Sequence, residues 1–261
     1  MNSVGASITQ FAVLARRSSL WTLREPVVMG PNLIFPMIFF LVLAGGVSAA
    51  GGIPGFPTDS YTDFIFAAPF IQGTLLAAIS TASMLARDIE TGFLDRLLLT
   101  PASNLAILFG NLMGAAALAA CQTTVFLAIG LAIGVEIEAG VAGVIVLYAL
   151  VILVTIGLGG IGAFVALRTG SAEAVQGVFP MFFALMFLSS LTLPRELIEA
   201  DWFRVIATIN PLSYVIEGMR SLIITGWDWG ALGRGFGVLS GILIHGMWAA
   251  TSGLRGRVAR T

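Results

Sequence analysis

The sequence predicts an all-α membrane protein with six transmembrane helices, and three observations carry that reading. Hydrophobic residues fill 57% of the 261 positions and charged residues only 10%, whereas soluble domains carry about 25% charged residues. Mean hydropathy is +0.97. The apolar runs are long and unbroken, and a hydrocarbon layer about 30 Å thick takes roughly 20 apolar residues per helix. A membrane barrel would show short alternating strands instead.

In chain order, residues 1–26 are amphipathic, with Ile8, Phe11, Ala12, Ala15, Leu20 and Leu23 at helical spacing beside Arg16, Arg17, Trp21 and Arg24. Such a helix lies in the membrane interface rather than crossing it. Pro26 ends it, and no cleavable leader pattern precedes the first long apolar run. Spans are expected at about 28–50, 62–86, 104–134, 140–167, 174–193 and 231–252. Residues 51–57 form a turn-rich loop and 168–173 a tight connection. Residues 194–209 are a second amphipathic stretch, with Arg195 and Glu199 spaced to pair. Asn210 caps the next helix and Pro211 takes its first position. Tyr214, Glu217 and Gly218 share a face of it, and Glu217 stands three residues from Arg220. A charge at membrane depth demands a partner.

An even number of spans puts both termini on one side, and the distribution of arginine chooses which. With the termini inside, the inner segments hold Arg16, Arg17, Arg24, Arg87, Arg96, Arg168, Arg255, Arg257 and Arg260. The outer side holds Arg195, Arg204, Arg220 and Arg234, all in or just after the long last loop. Both termini are therefore expected in the cytoplasm.

Residues 87–103 form a charged island between two greasy runs. On a helix, Ile89, Phe93, Leu94, Leu97 and Leu98 fall on one face; Arg87, Asp88, Glu90, Thr91 and Asp95 fall largely on the other. Gly92 costs about 1 kcal/mol against Ala in a helix interior, which points to a bend. Thr100-Pro101 ends the helix, and Ser103 or Asn104 caps the next span. Two readings stand: a connector resting on lipid, or a docking helix gripped by a soluble protein. The mixture of charges favours docking, since lipid-surface helices are rich in Lys and Arg.

Several chemistries are excluded. The thirteen cationic residues are all Arg, so the Lys-bearing phosphate loop GxxxxGK[ST] is absent. Cys121 is the sole cysteine and His245 the sole histidine, which rules out an internal disulfide and an HExxH metal pair. Ser240 and Ser252 precede glycines, but Val238 and Ala250 stand where an intramembrane GxSG hydrolase needs Gly. Neither a metal nor a nucleic-acid partner is expected. The polar residues Asp63, Gln72, Asn111, Gln122, Gln176 and His245 in or near spans are either interhelical glue or markers of a substrate path. Gln72 and Asn111, with Phe179, Phe182, Phe183 and Met186, are the candidate path residues. The small-residue steps Gly110–Gly114 and Gly157–Gly162 allow close helix approach without naming the partner.

The segment Arg87-Asp88-Ile89-Glu90-Thr91-Gly92-Phe93-Leu94-Asp95-Arg96-Leu97-Leu98-Leu99-Thr100-Pro101 resembles the first cytoplasmic loop of type-two ABC exporter permeases. Asn210-Pro211-Leu212-Ser213-Tyr214-Val215-Ile216-Glu217-Gly218-Met219-Arg220 resembles that family's Asn-Pro…Tyr…Glu…Arg pattern before the last span. Together they liken the whole chain, as a single permease domain, to the daunorubicin-resistance-type drug exporters; polysaccharide and lipid exporters share both motifs. The resemblance implies a bacterial inner-membrane protein that pairs with a second permease, homodimeric or heterodimeric, and with cytosolic ATP-binding cassette subunits. ATP and Mg would belong to those partners and no cofactor to this chain. It further implies that residues 87–101 form a coupling helix, through Arg87, Asp88, Glu90, Gly92, Phe93, Leu94, Asp95, Arg96 and Pro101. Residues 194–225 would dip into the outer leaflet as short re-entrant helices, with Asn210, Pro211, Tyr214, Glu217 and Arg220 at an outer gate.

Overall fold

The computed structural model describes residues 3–100 and 103–259. Among them there is no strand, and the helices are α1 (Ser3–Arg24), α2 (Pro26–Gly46), α3 (Tyr61–Ile65), α4 (Ala67–Glu90), α5 (Phe93–Leu98), α6 (Asn104–Ala132), α7 (Gly140–Thr169), α8 (Ala172–Gln176), α9 (Phe179–Phe187), α10 (Asp201–Ile209), α11 (Pro211–Ile224) and α12 (Trp229–Val258). Five stretches among the described residues are long and apolar enough to span a bilayer: α2, α3 with α4, α6, α7 and α12. The bundle is built around α4 and α7. Of the most apolar part of α3–α4, 89% is buried, against 28% in α2 and 33% in α12, so α2 and α12 form the rim.

Missing side chains set the closest approaches. A Cβ on Gly160 of α7 would lie 2.6 Å from the Gly246 carbonyl of α12, so these two backbones touch. One on Gly162 would lie 2.7 Å from Ala82 of α4. Gly110 of α6 faces Leu14 of α1 in the same way, while Ser18 Oγ and Ser19 Oγ donate to the carbonyls of Asn111 (3.1 Å) and Met113 (3.3 Å). The partner of the Gly110–Gly114 step is therefore α1, which runs alongside the start of α6 and is held by protein as well as being amphipathic.

The fifth expected span, 174–193, is broken. Apolar helix covers only Ala172–Phe187 and is interrupted between α8 and α9. Pro180 sits in the first turn of α9, where its missing N–H costs nothing. The chain then leaves helical geometry after Leu188. Unwound backbone inside a bundle survives only where protein supplies its hydrogen bonds, and α11 does so here.

Candidate functional site

The charged island is a turn with a short helix, not one helix over 87–101. Arg87–Glu90 continue α4. Gly92 then takes φ +67°, a left-handed value that favours glycine. Its N–H reaches the Ile89 carbonyl at 2.9 Å and the Thr91 N–H reaches Arg87 at 3.0 Å, closing α4 with a left-handed cap. The chain turns into α5, whose Leu94 is buried and whose Leu97 and Leu98 are half-buried. Thr100 ends it by donating from N–H and Oγ to the Leu97 carbonyl, at 3.1 and 2.7 Å. Pro101 lies outside the described residues. Ser103 Oγ caps α6 through the Ala106 N–H at 3.2 Å.

The acidic residues of the island are tied within the chain. Arg17 of α1 grips Asp88 with two parallel bonds of 3.1 Å and lies 4.1 Å over the Phe93 ring. Arg257, near the end of α12, holds Asp95 through contacts of 3.0–3.1 Å. Glu90 accepts from the Ala172 N–H at 2.8 Å, at the start of α8. Bidentate geometry makes these pairs stiff. The turn is thus lashed to α1, α8 and α12 through its three acidic residues, of which Glu90 remains exposed. The exposed residues of the turn are Arg87, Glu90 and Thr91 at the end of α4 and Arg96, Leu99 and Thr100 in and after α5, with Leu99 87% exposed. Leu99 was not among the expected docking residues.

Both partners of the Asp95–Arg257 pair keep contact with solvent, so its stabilising value is about 1 kcal/mol. Asp95→Arg is expected to lower the midpoint of detergent unfolding and to loosen the end of α12. Asp95→Arg with Arg257→Asp is expected to restore both, as followed by proteolysis at the C-terminal segment. Equal losses in the single and double variants would refute the pairing.

At the opposite end, α11 holds the unwound segment after α9. Asn210 accepts from the Leu212 N–H (2.9 Å) as the helix cap, and its Nδ2 donates to the carbonyls of Leu185 (2.5 Å) and Leu188 (3.0 Å). Pro211 opens α11. Ser213 Oγ accepts from the Ser190 N–H at 3.1 Å. Buried Arg220 donates to the carbonyls of Phe64 (3.1 Å), Ser190 (2.9 Å) and Leu191 (2.8 Å), with its guanidinium 3.6 Å over the Phe64 ring. Glu217 accepts from Ser190 Oγ at 2.8 Å and pairs with Arg195, which covers the Tyr214 ring at 4.5 Å. Tyr214 donates to the Thr208 carbonyl at 2.8 Å.

Two expected pairings are corrected by this hub. Arg195 meets Glu217 and not Glu199, and Glu217 and Arg220 do not bond each other, because Arg220 points at α3 and the 190–191 backbone. Burial lowers the Arg195 pKa, but hydrogen bonds to Glu217 and Tyr214 and the Glu217 charge outweigh it, leaving the pKa raised and the side chain cationic. The outward face of α10 carries Trp202, Val205 and Ile209, all exposed.

The expected path residues separate. Phe179, Phe183 and Phe187 stack along α9, and Phe183 and Phe187 meet Phe35 and Phe39 of α2 at 5.9 and 5.7 Å between ring centres. Phe182 and Met186 are buried inward. Gln72 is fully buried and Asn111 lies beneath α1, so neither joins the aromatic ladder. Gln122 acts as glue: its amide donates to the Asn32 carbonyl (2.9 Å), while Asn32 Nδ2 reaches Ser80 Oγ (3.1 Å), joining α2, α4 and α6. Asn32 was not singled out from sequence; as a lone amide in an apolar run it carried the same signal as Gln122.

With this geometry established, comparison with known proteins is decisive. The model for the ABC-2 type transporter family matches residues 9–224, from α1 through α11. The chain belongs to that family. It is similar to a putative transport permease, ycf38, of Porphyra purpurea, at 27% identity over 225 residues covering 85% of this chain and 76% of the relative. The Cyanophora paradoxa protein of the same description is 24% identical over 217 residues, covering 82% and 74%. A probable multidrug ABC transporter permease, YbhR, of Escherichia coli K12 is 28% identical over 164 residues, covering 59% of this chain and 44% of the relative. The permease is a multi-pass transmembrane subunit of an ABC transporter, and the family match takes in both the α5 turn and the α11 hub.

Proposed function

We propose that the permease is the membrane half of an ATP-driven exporter. A separate ATP-binding subunit, carrying ATP and Mg, grips α5, and two permeases, identical or sister chains, alternate access to move a hydrophobic or amphipathic substrate outward. Both termini then face the cytoplasm of a bacterial cell. α1 braces the coupling turn, and α10–α11 dip into the outer leaflet to close the pathway. The carrying observation is the construction of the α4–α5 turn. α5 is a short helix tied to α12 by Asp95–Arg257 and to α1 by Arg17 over Phe93, while the end of α4 beside it is tied to α1 by Asp88 and to α8 by Glu90, and Arg96, Leu99 and Thr100 stay exposed. A push on such a turn reaches α1, α8 and α12 together. The absence of lysine supports an ATP site on another chain. The drug-exporter subgroup is favoured by the name of the Escherichia coli relative; lipid or polysaccharide/glycolipid export by the same fold is the second reading.

The test is a double variant, Arg96→Glu with Leu99→Asp. One central contact of an interface is worth about 2 kcal/mol or more, so co-purification of the ATP-binding subunit should fall at least tenfold with membrane insertion unchanged. Permease-stimulated ATP hydrolysis should fall with it. Unchanged association and hydrolysis would remove α5 as the docking element.

A further inference from the structure

At the α5 end of the bundle a cleft of about 480 Å³ opens between α1, α2, α4 and the α8–α9 segment. That volume lies within the usual 300–1,000 Å³ range of small-molecule sites. Its walls include Leu76 and Phe179, Trp21 stands on the α1 side, and Ser83, Arg87 and Gln176 supply polar groups. Two of these groups lack internal partners among the described residues. Ser83 Oγ is buried and makes no hydrogen bond, although a helical serine has its own turn's carbonyls within reach. Arg87 is exposed and forms no ion pair among the described residues, and the three carboxylates of its turn are engaged elsewhere: Asp88 with Arg17, Asp95 with Arg257, and Glu90 with the α8 backbone. An apolar slot with an uncommitted cation and an unmet buried hydroxyl is complementary to an acyl tail carrying an anionic headgroup.

We propose that this cleft takes an anionic lipid-like amphiphile from the adjoining leaflet, its headgroup on Arg87 and its tail along Leu76 and Phe179, and that this molecule is the cargo. The cargo assignment rests on the exporter reading; the binding does not. Trp21 suits the headgroup level, where indole rings concentrate. Arg87 then faces lipid rather than the ATP-binding subunit. Binding here also gives the α8–α9 break a use, since Gln176 and Phe179 flank it and Glu90 ties α8 to the coupling turn.

The experiment is photolabelling of the full-length permease in phosphatidylcholine vesicles, with a trace of acyl-chain diazirine phosphatidylglycerol or its phosphatidylcholine counterpart. Phosphatidylglycerol should label peptides around residues 27–32, 76–84 and 176–179. Arg87→Gln should reduce that labelling about fivefold, the worth of one Arg at an anionic surface. Arg87→Lys should retain it, and Leu76→Trp, which fills the slot while keeping the charge, should block it. Equal labelling by both lipids, or no change in Arg87→Gln, overturns the site. Adding the ATP-binding subunit and ATP should then discharge the label precursor. Selective labelling indifferent to turnover, in a complex whose ATPase the permease stimulates, overturns the cargo assignment and leaves the exporter reading standing. If a second permease covers the cleft instead, labelling fails for both lipids and reappears in neither variant, which also overturns the proposal.

Discussion

Gly246→Leu should abolish the folded permease. A Cβ at this position would fall onto the Gly157 carbonyl, with the Gly157 carbonyl carbon 2.8 Å away, and Gly160 faces it across the same seam. Both obstacles are backbone in long, well-packed helices, so neither can step aside as a flexible side chain would. Overpacking a tight contact costs about 1–3 kcal/mol when neighbours yield and more when they do not. The expected loss is therefore at the upper end, about 3 kcal/mol or more, and separates α12 from α7. Gly237→Leu and Gly241→Leu lie on the same helix with open space at their Cβ positions, and each should behave nearly as the parent protein. Thermal unfolding in detergent, followed by size-exclusion chromatography, distinguishes them. A Gly246→Leu protein as stable as Gly241→Leu would mean that the seam is not closely packed.

How much of this was legible follows from what each feature depends on. The spans that became α2, α4, α6, α7 and α12 depend on run length and the scarcity of charge, both local to the sequence. The Gly92 bend was legible for a similar reason, since a glycine amid a helical pattern weakens it whatever the surroundings. Leu99 was also within reach: Leu94, Leu97 and Leu98 occupy one face, and Leu99 falls off it. The broken fifth segment was not legible. Phe179–Phe187 is as apolar as a spanning helix, and its unwinding depends on Asn210, Ser213 and Arg220, which arrive from α11. The ion pairs were hidden likewise. Glu217 and Arg220 are close in sequence, yet Glu217 bonds Arg195, 22 residues away, and Asp95 bonds Arg257 across 162 residues. Spacing within a helix shows only which pairs are able to meet; packing decides which do.

The α5 turn and the α11 hub lie at opposite ends of the same rigid elements, and that placement says how one end can act on the other. Glu90 connects the turn to α8, α8 leads into α9, and the unwound chain after α9 is held by Asn210, Ser213 and Arg220. In the exporter reading, a displacement of α5 pulls on the segment whose far end the hub fixes. The broken fifth segment is then the compliant part of the linkage, because its backbone hydrogen bonds are made to side chains of another helix rather than to its own next turn.

Arg220 is the residue on which that far end depends most. Its guanidinium satisfies three backbone carbonyls, on Phe64, Ser190 and Leu191, and covers the Phe64 ring. Arg220→Leu fills much of the volume but leaves all three acceptors buried. Each unmet buried acceptor costs about 1–3 kcal/mol, so even with partial relaxation the expected loss is about 3 kcal/mol or more. Arg220→Lys keeps the charge but replaces a planar fork with a point donor; it should assemble yet release the 188–191 segment, leaving ATP hydrolysis stimulated and transport impaired. Arg204→Leu is the control. Arg204 pairs only with exposed Asp201 on α10, and a surface change of that kind is worth about 0.5 kcal/mol or less. Unfolding in detergent orders the three variants, and proteolysis between α9 and α10 reads the release directly. If Arg220→Leu unfolds with Arg204→Leu, the carbonyls of the fifth segment are being met by something other than this side chain, and the hub does not hold the outer end of the linkage.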